Sequence, residues 1–331
     1  MLLNAMPHDS WETTALLPIN EYIREKRLFH TFKYRFKGQG KLADSLNRPY
    51  TNYRLSKGDF DVFHQTNFGT YCLKSLGDKP MVTTYHDSNL STIDPHPEIV
   101  NQQKASLKRA DAIICVSNNT RKDMLDLFDL DERKVHVVYH GIELPDLSLL
   151  DSKRLYDFPY VLFVGRRSEY KNFQRFVQAF SIVAKIHPQI HLVCTSKMFS
   201  KSEMEMFANL KLADKVHSIN ATEQHMKQLY RDAELFVFPS LYEGFGMPIL
   251  ESWSCGCPVI LSDASCFPEI AGDAGLYFNP IDIDDMANCM LKVLEDNELR
   301  QQLIEKGGKR VGQFSWQSTA RAHMKIYESL I

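Results

Sequence analysis

The stretch from Leu235 to Gly256 restricts the fold of this chain more than any other. Leu235-Phe-Val-Phe238 is short, bulky and followed at once by Pro239 and Ser240, so it reads as a buried parallel strand. A loop carrying Gly244 and Gly246 follows. Pro248 sits where the first turn of a helix tolerates a missing N–H. Ile249 to Cys255 continue that helix until Gly256 ends it. Strand, glycine loop and helix start together aim backbone N–H groups and a positive dipole end at an anion. Glu243 and Glu251 bracket the loop, and carboxylates there suit sugar hydroxyls rather than phosphate. Amides for phosphate and carboxylates for hydroxyls imply a nucleotide sugar as ligand.

The Glu243-x7-Glu251 spacing, within Ser240-Leu-Tyr-Glu-Gly-Phe-Gly-Met-Pro248, resembles the donor site of retaining glycosyltransferases of family 4, in particular mannosyltransferase-like members. Phe163-Val-Gly-Arg-Arg-Ser-Glu-Tyr-Lys-Asn172 upstream and Phe267-Pro-Glu-Ile-Ala-Gly-Asp-Ala-Gly-Leu-Tyr-Phe-Asn-Pro280 downstream extend the likeness. It is strong from about residue 160 onward and thinner before. The resemblance implies the GT-B fold: α/β, two Rossmann-like doubly wound parallel-sheet domains facing a cleft. Members of the family open with a strand and a glycine-rich loop. No such unit precedes Arg24 here, where the early glycines are Gly38 and Gly40, so the first domain is expected to lack its initial strand and glycine loop.

Strand and helix signals alternate through both halves, as an open parallel sheet requires. Asp59–His64, Pro80–Tyr85, Ala112–Val116 and Val135–Tyr139 read as strands, with helices over Pro97–Ala110 and Asn119–Phe128 and Ser117 as a cap. In the second half, strands are expected at Tyr160–Val164, Ile190–Cys194, Glu234–Phe238, Pro258–Leu261 and Gly275–Phe278. Helices are expected over Asn172–Ile186 and Thr222–Arg231. Gly141–Asp157, with Pro145 and little periodicity, reads as a linker. The expected division is 1–150 for an acceptor-side domain, 151–315 for a donor domain and 316–331 for a closing helix that returns toward the first domain.

The resemblance assigns roles residue by residue. Arg166 and Lys171 would neutralise the departing diphosphate, with Arg167 the alternative to its neighbour. Glu243 would contact the transferred sugar, and Glu251 the ribose hydroxyls. The backbone amides of Phe245, Gly246 and Met247 would meet sugar and phosphate. His86, just after a strand, would lie near the reacting sugar, with His64 a lesser candidate for the same cleft. His140 reads as structural, and Glu269 opens a helix that can reach the base side of the donor. A glycosidase-type pairing of Glu243 with Glu251 leaves the phosphate-shaped loop unexplained.

Several classes are excluded or narrowed. A net charge of −2 gives no general attraction to nucleic acid. With 44% hydrophobic and 24% charged residues, the composition is that of a soluble globular protein with no span for a bilayer. Seven cysteines, an odd number without a secretion signal, point to reduced thiols in the cytoplasm. Cys255 and Cys257 lack the partners of a metal site, Asp282-Ile-Asp284 reads as a helix cap, and no metal or other cofactor is expected. Residues 24–41 place Leu28, Phe29, Phe32 and Phe36 on one helical face flanked by Lys26, Arg27, Lys33 and Lys37, a pattern suited either to a peripheral anionic membrane surface or to packing on the domain's own sheet. The expected reaction is hexose transfer from a nucleoside diphosphate sugar, GDP-mannose ahead of UDP-hexoses, to a glycan or lipid-linked acceptor in cell-surface polysaccharide synthesis. A sugar-nucleotide epimerase, a phosphorylase and a non-catalytic nucleotide-sugar-binding protein are the alternatives on the same fold.

Overall fold

The computed structural model describes residues 1–17, 39–66, 68–88 and 96–331. The amphipathic segment expected over 24–41 falls outside the described residues except for 39–41, which open the helix Gln39–Lys57. Among the described residues no helix is long and apolar enough to cross a membrane.

Two compact units divide the chain. The first comprises Met1–Val116, Thr120–Gly141 and Trp316–Ile331; the second comprises Ser117–Asn119 and Ile142–Ser315. The split in the connecting segment therefore falls after Gly141.

The first unit holds a parallel sheet in the order β1 (Phe63–Gln65), β2 (Met81–Tyr85), β3 (Ala112–Cys115), β4 (Val135–Val137). Both faces of β3 are buried, and its residues alternate between two cores. Ile113 and Cys115 join Leu107, Met124 and Phe128 on one side, while Ala112 and Ile114 join Val82, Val138 and Ile326 on the other. Ile326 belongs to the helix Trp316–Glu328, so the chain's last helix covers one face of this first sheet. β1 is shorter than its sequence suggests. Its ladder starts where Phe63 N–H donates to Pro80 O, and the charged run Asp59–Asp61 stays outside it. Among the described residues β1 is an edge strand of this sheet, and no glycine loop precedes it.

The second unit holds six parallel strands in the order β10 (Leu276–Phe278), β9 (Val259–Ser262), β8 (Leu235–Phe238), β5 (Tyr160–Phe163), β6 (His191–Thr195), β7 (Val216–Ile219). The helix Phe173–Ile186 buries Phe173, Phe176, Val177, Phe180 and Val183 on one face of this sheet, the 3.6-residue spacing of a core-facing stripe. Each such side chain contributes about 1.5–3 kcal/mol on burial. The helix Ile283–Glu295 packs on the same core through Met286, Met290 and Val293. On the opposite face Phe236 meets Tyr230 edge-on at 5.5 Å, and Phe238 meets Phe267 at 4.8 Å.

The chain leaves β5 for β6 on one side of the sheet and returns to β8 on the other. The strand order therefore reverses at β5, and a doubly wound sheet opens its ligand crevice at the carboxyl ends of the strands at such a point. The loop carrying Arg166 and Lys171 follows β5, and the loop carrying Glu243 follows β8. These loops occupy the reversal point.

Candidate functional site

The loops after β5 and β8 are tied together by backbone and charge. Leu241 N–H donates to Tyr170 O at 2.7 Å. Lys171 Nζ donates to Glu243 Oε1 in an ion pair whose side chains are only 13% and 15% exposed. The ammonium also lies over the Phe238 ring at 5.2 Å and the Tyr170 ring at 5.4 Å. A nearly dry ion pair is stable only when geometry holds both partners, and three features supply that geometry. Asn172, in left-handed conformation (φ 57°), ends the turn bearing Lys171, and its Nδ2 donates to Pro280 O at 2.6 Å. Ser265 Oγ accepts from Glu243 N–H at 3.1 Å and donates to Glu243 O at 2.6 Å. Gly246 takes φ 90° to turn the chain into the helix Met247–Ser254. A Cβ there would sit 3.0 Å from Ile249 Cδ1, so glycine is required both by conformation and by space.

The helix Met247–Ser254 opens at the residues expected to present amides, with Pro248 in its first turn. Its first-turn N–H groups lack intrahelical acceptors by construction. It ends one residue earlier than the sequence suggests, at Ser254. Glu251 is one turn in. Its Oε2 accepts a hydrogen bond from Tyr230 Oη at 3.0 Å, while Oε1 meets no donor among the described residues. Burial raises the Glu251 pKa, and the Tyr230 hydroxyl opposes that rise. Behind the helix, Trp253 packs so closely on Gly307 that a Cβ at 307 would lie 2.3 Å from the indole Cδ1.

The geometry separates the two arginines that the sequence leaves as alternatives. Arg166 is exposed, and its side chain makes no hydrogen bond or ion pair among the described residues. Arg167 is 7% exposed, pairs through Nε with Glu203, and donates through Nη2 to Lys197 O (2.8 Å) and Met198 O (3.1 Å). Its guanidinium also lies over Phe199 at 4.8 Å. These contacts fasten the β5 loop to the helix Lys201–Asn209, whose capping box uses the same Glu203. Phe245 has a buried side chain set edge-on to Phe314 at 6.0 Å.

His86 belongs to the first unit, at the carboxyl end of β2, where it stacks on His140 at 5.9 Å. Burial lowers its pKa. His64 is not an open cleft residue. Its two ring nitrogens bond Tyr327 Oη and Thr84 Oγ1, and burial lowers its pKa to about 3. His140 packs against Trp316 at 6.0 Å. Asp282 caps the helix Ile283–Glu295, accepting from the N–H groups of Asp284 and Asp285 at 3.0 Å each. All seven cysteines are buried and unpaired. No cluster suited to a metal occurs among the described residues. Sequence reasoning missed Tyr230, Ser265 and Asn172. Of these only the Tyr230 position carried a sequence signal, a polar aromatic inside the amphipathic run Thr222–Arg231.

Two family models match the chain in succession. The glycosyltransferase family 4 model covers residues 15–145, and that of glycosyl transferases group 1 covers residues 151–310. The O-antigen chain mannosyltransferase B of Escherichia coli is 28% identical over 287 residues, which are 81% of this chain and 74% of that protein. The serotype-specific mannosyltransferase WbdA of Escherichia coli is 26% identical over 71% of this chain, which spans 31% of that longer protein. Among solved structures, Anabaena HepE in complex with UDP and glucose superposes with a TM-score of 0.75 at 17% identity, over 93% of this chain and 89% of that one. The fold is therefore that of the GT-B glycosyltransferases.

Proposed function

We propose a reaction from one premise: the chain belongs to glycosyltransferase family 4 and transfers a glycosyl group to a glycan acceptor. The donor is a nucleoside diphosphate hexose, with GDP-mannose ahead of UDP-hexoses because the relatives above are mannosyltransferases. The UDP-bound neighbour supports UDP-hexose as the second reading. The acceptor is a glycan or lipid-linked glycan of a cell-surface polysaccharide, and transfer retains the anomeric configuration without a metal ion.

The observation that carries this reading is the Lys171–Glu243 pair at the strand-order reversal, beside a helix N-terminus. When the bond from sugar C1 to the phosphate oxygen breaks, negative charge grows on the diphosphate. Lys171, largely shielded from water, and the first-turn amides after Gly246 stabilise that charge, joined by Arg166 from the exposed part of the β5 loop. Glu243, restrained by Ser265, takes sugar hydroxyls, and Glu251 takes the ribose. The acceptor oxygen attacks C1 on the face the phosphate leaves, and its proton passes to a phosphate oxygen. A lipid-linked acceptor would bring residues 24–41 to an anionic membrane surface, which sedimentation with anionic vesicles tests.

The test is transfer from GDP-mannose and from UDP-glucose to lipid-linked glycan acceptors. We expect Lys171→Ala to lower kcat about 10²–10³-fold and Glu251→Ala to raise donor KM. Undiminished transfer in both variants would sink the assignment.

A further inference from the structure

The geometry points to Tyr230 as a positioning residue for Glu251, fixing which oxygen of the carboxylate meets the donor. This rests on the reading of Glu251 as the ribose ligand.

Tyr230 lies on the helix Glu223–Asp232, 21 residues upstream of Glu251, and is 1% exposed. Its ring is locked edge-on against Phe236 of β8. A buried phenol must place its proton on an acceptor, and among the described residues that acceptor is Glu251 Oε2 at 3.0 Å. With Oε2 held, Oε1 is left for an outside donor. The carboxylate is thereby oriented before ligand arrives, so less side-chain freedom is lost on binding. The second effect is electrostatic. Burial and the nearby Glu223 push Glu251 toward the protonated form, which accepts hydroxyl protons poorly, and the Tyr230 hydrogen bond pushes back. Tyr230 keeps its own proton, since burial and the Glu251 charge raise its pKa well above the usual phenol value. Cys257 and Cys255 also lie near the phenol, and Lys227 pairs with Glu223 at 2.9 Å. A purely structural tyrosine would need only some acceptor. This one uses the carboxylate that the donor also needs.

The experiment measures GDP and UDP binding, donor KM and kcat against pH in Tyr230→Phe, Glu251→Ala and the double variant of the full chain. Tyr230→Phe removes one oxygen and keeps the ring packing, and thermal unfolding checks that it folds. We expect it to weaken nucleotide binding and raise donor KM about tenfold or more, the effect of one hydrogen bond to a charged group, with kcat little changed. The acid limb of binding should move to higher pH, because the carboxylate loses the donor that holds its proton off. Glu251→Gln should abolish that limb, which assigns it to Glu251 without any change at 230. In the Glu251→Ala background, Tyr230→Phe should add nothing. An unmoved acid limb, or an effect additive to Glu251→Ala, overturns the inference while leaving the donor site intact. Full nucleotide affinity in Glu251→Ala overturns the reading beneath it.

Discussion

Beside β2 four imidazoles gather, His64, His86, His140 and His323, stacked in pairs at 5.7 and 5.9 Å. Around β5 they are charges in pairs: Lys171 with Glu243, and Arg167 with Glu203. Both arrangements pair polar groups that are largely shielded from water, but they answer different demands. A neutral ring fastens elements without a net field, as His64 does between Thr84 and Tyr327, so it holds the last helix onto the first sheet. A charge pair stores a field that a ligand can reorganise.

This contrast can be broken most sharply at the adjacent arginines. Arg167→Ala removes the partner of Glu203, which keeps its Ser200 N–H donor, together with the contacts to Lys197 O, Met198 O and Phe199, and should cost about 2–3 kcal/mol, read as a fall in the denaturation midpoint of the second unit. Arg166→Ala should leave stability within about 0.5 kcal/mol while lowering kcat/KM for the donor. Equal effects on stability would erase the distinction drawn here.

The next effect separates the units by pH. Burial lowers His140 to about 4 and His64 to about 3, below the unfolded value of about 6.5. Between those values the unfolded chain binds protons that the folded chain refuses, so stability rises with pH. The first unit should therefore lose stability as pH falls from about 6.5 toward 4, by an amount on the order of a few kcal/mol. Urea unfolding at several pH values checks this, and His64→Gln should flatten the slope.

The smallest expected effect tests the support behind Glu251. Gly307→Ala drives a methyl into the Trp253 ring and should cost about 1–3 kcal/mol. Because the displaced helix carries Glu251, donor KM should rise with the loss of stability.

What was legible follows from what each region needs. The unit from Leu235 to Ser254 was readable because strand, glycine turn and helix start each demand a different residue type. The helix Lys201–Asn209 went unread although Ser200 and Glu203 form a capping box, since its apolar stripe is sparse. β7, with a histidine and a serine in four edge residues, has little of a strand's composition. The helix Gln39–Lys57 carries Pro49 and reads as a break. The choice between Arg166 and Arg167 was beyond sequence: neighbours on a loop have no period to say which turns inward. Tyr230 and Ser265 act on Glu251 and Glu243 from 21 and 22 residues away, a relation made by the sheet and by no local pattern.

Ser265 sits at φ 55°, where an L residue pays a conformational penalty that glycine would escape. Its hydroxyl holds both backbone polar groups of Glu243. A directed-evolution screen scored only on heat tolerance would have reason to take glycine at 265. It would thereby loosen the loop that carries Glu243, so variants of this chain should be selected on turnover and robustness together.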